Sequence, residues 1–165
     1  WCWNSISMNM RNRGYGVVVD MLTNYPDMPW DFSVFSGCKE LTTELYTRFP
    51  DKNWNIQVIS SWCDNIMNFV ERFPHIKWSS YQMSFNRSIT LDDINTHPEF
   101  PWDYGTLSGS KSIPIEYILN NPTKGWSQDD VLLNKNLTLE LLEEIVHQEW
   151  WGRKQLREIA ICVFQ

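Results

Sequence analysis

A tryptophan returns every 24 residues, at Trp30, Trp54, Trp78, Trp102, Trp126 and Trp150, and a proline stands four residues ahead of the first five. No insertion breaks the spacing from Pro26 through Pro50, Pro74, Pro98 and Pro122 to Trp150. A period fixed at this length means one small supersecondary unit used over and over. A unit of 24 residues has too little apolar surface to fold alone, so each must be held by stacking on its neighbours.

Aligning the units on the tryptophan shows the local physics. The next residue is Asp31, Asn55, Ser79, Asp103 or Ser127, all types whose side chains accept a bond from an orphan backbone N–H at a helix start. Four residues after that cap comes Phe35, Ile59, Met83, Leu107 or Val131. An apolar residue before the cap and one at the fourth helical position form a hydrophobic staple. Each repeated Trp therefore reads as a core residue at the entrance of a short helix. Ser36, Ser60, Ser84 and Ser108 follow, with Gly37 and Gly109 after two of them, and the helix stops.

The second half of each unit starts another helix. Leu41-Thr42, Ile89-Thr90 and Leu137-Thr138 place an apolar residue before a threonine cap, while Ile113-Pro114 substitutes proline. Tyr46, Ile94, Ile118 and Leu142 are the staple partners, and the next proline forbids continuation. The unit at Trp54 departs from this, with Asn65 in a Leu or Ile position and the apolar face moved to Ile66, Phe69, Val70 and Phe73. The last unit has Val146 in place of proline, so the sequence predicts one longer helix from Thr138 to about Glu149.

This pattern predicts an all-α solenoid of short helix–turn–helix repeats. Residues 1–29 read as a degenerate first unit, 30–149 as five repeats, and 150–165 as a C-terminal helix that caps the array or starts a further unit. In the first segment, Arg11 to Gly16 is expected to form a loop and Val17 to Leu22 a short helix or strand. In the last, Leu156, Ile159, Ala160 and Val163 have helical spacing. With Trp1 in place of an initiating Met, the chain reads as part of a longer protein.

The sequence Asn24-Tyr25-Pro26-Asp27-Met28-Pro29-Trp30-Asp31, its counterpart His97-Pro98-Glu99-Phe100-Pro101-Trp102-Asp103-Tyr104, and the pairs Leu107-Ser108 and Ile89-Thr90 carry a resemblance. They resemble the tryptophan-rich repeats encoded by giant DNA viruses of the mimivirus kind, over most of residues 24 to 150. The resemblance implies a virus-encoded protein, either a virion component or a host-interaction scaffold.

Composition narrows the function classes. A net charge of −6 argues against a general nucleic-acid binder, because phosphate backbones are held chiefly by Lys and Arg. No apolar run reaches the ~18 residues needed to cross a bilayer. Cys2, Cys38, Cys63 and Cys162 have no metal-ligand spacing and read as reduced thiols. The sequons Asn86-Arg87-Ser88 and Asn136-Leu137-Thr138 are expected to be unused.

No catalytic, cofactor or metal site is expected. His75, His97 and His147 fall beside the unit junctions and read as surface residues on turns. Glu44, Asp92, Glu116 and Glu140 form an acidic column that could suggest acid–base chemistry or cation binding. Their place at helix N-termini explains them more simply. Lys39, Arg87, Lys111 and Lys135 form a basic column, interrupted by Cys63, of the kind a nucleic-acid-reading solenoid needs. Cations just beyond a helix C-terminus also complement its dipole, and that reading is preferred. The off-register Trp1, Trp62 and Trp151 are the better candidates for contact surfaces. An aromatic groove for a Pro-rich peptide is conceivable, but no residue favours it.

The expected function is therefore non-enzymatic scaffolding in a virion, with other viral proteins or further copies of the chain as partners. A host-protein adaptor in the infected cytoplasm is the alternative. A single-stranded nucleic-acid binder using Lys39, Arg87, Lys111 and Lys135 ranks third.

Overall fold

The structure, a computed structural model, describes residues 2–148 and Trp151. Twelve α-helices and no strand occur among the described residues. One compact unit ends at Pro101 and a second begins at Trp102.

In the first unit, α1 (Trp3–Asn12) and α2 (Tyr15–Asn24) precede α3 (Phe32–Phe35), α4 (Thr43–Arg48), α5 (Ile56–Trp62), α6 (Ile66–Arg72), α7 (Ser80–Phe85) and α8 (Leu91–Thr96). The second unit contains α9 (Tyr104–Leu107), α10 (Ile115–Leu119), α11 (Gln128–Leu132) and α12 (Leu139–Val146). From α3 onward the helices have four to eight residues, too few to persist alone. Their stability comes from packing. Helices one sequence period apart lie against each other, α4 on α6, α5 on α7 and α10 on α12, and α1 packs on α3.

The caps fall where the residue types place them. Asp31, Asn55, Ser79, Asp103 and Ser127 each accept a backbone N–H from the first turn of their helix, at 2.8 to 3.4 Å. Thr42 and Thr138 do the same for α4 and α12. Thr90 and Asp93 close a full capping box on α8, with the Thr90 N–H donating to the Asp93 carboxylate at 2.8 Å. Asn65 and Pro114 begin α6 and α10 without a side-chain cap.

The repeated tryptophans are core. Trp30, Trp54, Trp78, Trp102 and Trp126 are only 6 to 9 % exposed, and their staple partners Phe35, Ile59, Met83, Leu107 and Val131 are buried. Four of these rings also have a polar task that spacing alone does not reveal. The indole Nε1–H of Trp30, Trp54, Trp78 and Trp126 donates to the carbonyl five residues back, on Tyr25, Phe49, Phe73 and Asn121, at 2.7 to 3.1 Å. One side chain thus satisfies a carbonyl orphaned where one helix ends and precedes the cap of the next.

Two sequence expectations are corrected and one open alternative is decided. Arg11 to Gly16 is not a loop: Arg11 and Asn12 finish α1, and Tyr15 and Gly16 begin α2. A turn at Arg13-Gly14 suffices because Gly14 adopts φ +112°, a conformation closed to ordinary side chains. Val17 to Leu22 is helix and not strand. The helix begun at Thr138 ends at Val146 without a proline, because Gln148 N–H turns back to the Ile145 carbonyl at 3.0 Å and Trp151 N–H to Gln148. The expected helix in 150–165 lies outside the described residues except for Trp151.

Candidate interaction surface

The helical hairpin α1–α2 forms an open apolar groove of about 360 Å³. Trp3, Ile6 and Met10 line it from α1, at i, i+3 and i+7 on one helix face. Met21 and Tyr25 line it from α2 and its C-cap, and Met28 and Trp30 from the following turn. The Trp3 and Trp30 rings meet edge to face at 5.3 Å, a favoured arrangement, and the Trp30–Tyr25 bond fixes the floor. Met28 and Tyr25 are 42 and 53 % exposed, so the lining is open to solvent. Methionine, flexible and polarizable, suits a surface that must fit a partner's side chain.

α1 is anchored from behind. Ser7 Oγ, fully buried, accepts the Asp31 N–H at 2.9 Å, and Arg11 donates to the Gly37 carbonyl at 2.9 Å. Gly37 makes room for that guanidinium, since a Cβ there would lie 2.6 Å from Arg11 Nη2. These two bonds tie α1 to the start and the end of α3.

A second exposed cluster lies on the α5–α7 pair. Trp62 ends α5 at 51 % exposed, and Tyr81 and Phe85 on α7 are 55 and 57 % exposed. Of the three off-register tryptophans, Trp62 is thus on the surface. Trp151 is buried at 4 % and is not a contact residue, which corrects the expectation for it. Trp1 lies outside the described residues.

Both charged columns are exposed, and the acidic one is explained by its place at helix starts. Glu44, Asp92, Glu116 and Glu140 stand in the first turns of α4, α8, α10 and α12. The Glu44 carboxyl is held below its usual value by its own backbone N–H, then by Thr43 and by Arg72 at 3.8 Å. Glu140 is lowered by its own backbone N–H and by Thr138. Lys39, Arg87, Lys111 and Lys135 all project from the loops between paired helices and are exposed. The intervening Cys63 is buried, its thiol donating to the Leu41 carbonyl at 3.3 Å, and burial pushes it up to about 11.

The histidines are dispersed. His75 is exposed beside the Phe73 ring. His97 Nε2 lies 3.4 Å from Glu71 while Nδ1 faces the Asp93 carbonyl. His147 caps α12. Among the described residues, no group of three or more His, Cys, Asp or Glu is placed to hold a metal ion. No described helix is long and apolar enough to cross a membrane.

Sequence reasoning missed two functional roles for polar residues. The Ser36 and Ser108 hydroxyls, read as part of a helix stop, each donate to the carbonyl four residues back and accept the cap N–H of the next Trp-led helix. Asn86 and Asn134 are nearly fully buried, and each reaches back to carbonyls at and beyond the end of a helix in the preceding repeat. Both asparagines stand eight residues after a repeated Trp, which was the available signal. The Asn86 sequon is occupied by this role: its Nδ2 donates to Ser60 and Cys63 carbonyls, both at 2.9 Å.

No known protein family, curated protein or solved structure matches the chain.

Proposed function

We propose that the chain is an α-solenoid with a 24-residue period that acts as a non-enzymatic scaffold in the particle of a giant DNA virus. The observation that carries the architecture is the recurrent Trp Nε1–H bond to the carbonyl five residues back, at Trp30, Trp54, Trp78 and Trp126. One local solution repeated in this way supports quasi-one-dimensional stacking.

The scaffold role is supported by the surfaces. The α1–α2 groove is walled by apolar side chains and the α5–α7 pair presents exposed aromatics, chemistry that suits protein partners. The viral assignment follows from the resemblance around Trp30 and Trp102. Quantitative mass spectrometry of purified particles against infected-cell cytosol tests it. Stoichiometric enrichment in particles is expected. Absence from particles, together with a co-purifying host protein, would replace the virion role with that of an adaptor.

A further inference from the structure

We propose that the α1–α2 groove of one copy receives the sequence 153–164 of a second copy, joining chains head to tail. Three observations converge. The groove is apolar and open, with Met28 42 % and Tyr25 53 % exposed, on a hairpin fixed by Ser7 and Arg11. The C-terminal sequence, outside the described residues, carries Leu156, Ile159, Ala160 and Val163 at i, i+3, i+4 and i+7, the anchor spacing of a helix that docks in a groove.

Charge chooses the occupant. The sequence 153–164 contains Arg153, Lys154, Arg157 and one acid, Glu158, a net +2 against −8 for the remaining residues, which together give the chain's −6. Asp20 and Asp27, both exposed, are the chain neighbours of the lining Met21 and Met28, whereas Arg11 donates to the Gly37 carbonyl. Arg13 stands at the hairpin turn, beyond Met10. A basic apolar segment therefore meets an apolar groove on a hairpin whose exposed acids, Asp20 and Asp27, adjoin the lining residues in sequence.

The two surfaces differ, so the contact is heterologous and a chain of copies stays open unless its rotation closes a ring. One groove is small beside a standard interface of roughly 800 Å² per partner, so the contact is reversible and each added copy gains the same single contact. The inference draws its purpose from the scaffold reading, but its geometry does not depend on it.

Sedimentation velocity of the full chain over a wide concentration range tests the proposal. Concentration-dependent association that weakens with salt is expected. Met28→Glu in the groove and Ile159→Glu in the segment should each weaken it by about tenfold or more, about 1.4 kcal/mol. Mixed together, the two variants should form a dimer and stop, because only one intact groove and one intact segment meet. Circular dichroism checks folding, with Tyr25→Glu and Val163→Glu as replacements for any variant that unfolds. A wild type that stays monomeric, association that survives both variants, or a mixture that fails to pair would each overturn the proposal. A monomer still abundant in particles would sink this contact and leave the scaffold role standing. Association by a chain absent from particles would do the reverse.

Discussion

The Ser108 hydroxyl accepts the backbone N–H of Ser127 at 2.9 Å while donating its own hydrogen to the Tyr104 carbonyl at 2.8 Å. Ser36 does the same between Asn55 N–H and the Phe32 carbonyl, both at 2.8 Å. Each hydroxyl ties the end of one short helix to the N-cap of the next Trp-led helix, and both serines are fully buried. The starts of α5 and α11 are therefore held from two sides: the cap side chain satisfies one N–H, and the preceding serine satisfies the N–H of the cap itself.

Ser108→Ala keeps the helix propensity but strands the Ser127 N–H. Losing this part-buried bond costs about 0.5–1.5 kcal/mol, so urea unfolding should show a loss in that range. The exposed Thr123→Ala should stay within ~0.5 kcal/mol of wild type. Equal effects of the two substitutions would mean that the serine bridge adds nothing.

The tryptophans separate by register. Trp102→Ala removes a ring that is 6 % exposed and should cost on the order of 3–5 kcal/mol. Trp62→Ala removes one that is 51 % exposed and should cost no more than about half as much. Thermal melts of the pair check both. A Trp102→Ala midpoint within about 2 °C of wild type would remove the repeated Trp from the core.

The helix starts were legible because one residue type decides each: Asp31, Thr90 or Ser127 caps through its own side chain, whatever surrounds it. The bridges were not, although Ser36 and Ser108 stand out in the alignment, because their partners Asn55 and Ser127 belong to the next repeat. Asn134 shows the same limit. Its Nδ2 donates to Ser108, Ser110 and Ile113 carbonyls, all 21 to 26 residues earlier. The groove was least legible. Trp3, Met10, Met21 and Met28 share no period, and the turns at Gly14 and after Tyr25 bring them together.

The buried thiols give a pH signature. Desolvation pushes Cys38 and Cys63 up to about 11, against an ordinary value of 9.0 that the unfolded chain restores. Between those values the unfolded chain binds fewer protons than the folded one, so stability falls as pH rises through that window. Below it, both states hold the protons and these thiols contribute no slope. Tyr46, also raised by burial, acts in the same direction. Urea midpoints at about pH 8 and about pH 10.5 should therefore differ, and Cys63→Ala should narrow the gap. Alkylation near neutral pH should modify exposed Cys2, whose thiol is lowered by the Ser5 hydroxyl, well before Cys38 or Cys63.

The basic loops set an upper limit on any nucleic-acid affinity. Lys39, Arg87, Lys111 and Lys135 are exposed, but each comes one to a loop on an acidic chain, with Cys63 buried in the intervening position. Even if all four met phosphates of a single strand, the slope of log K against log salt would be roughly −3, since each contact contributes about −0.7. Stacked aromatics would have to add the rest, and the exposed Trp62, Tyr81 and Phe85 lie on helices α5 and α7, not on those loops. Gel-shift titrations with single-stranded RNA and DNA should therefore show no retained complex at physiological salt. A complex that persists there, and that Lys39, Arg87, Lys111 and Lys135→Glu together abolish, would make the loops a nucleic-acid surface and displace protein scaffolding as the function.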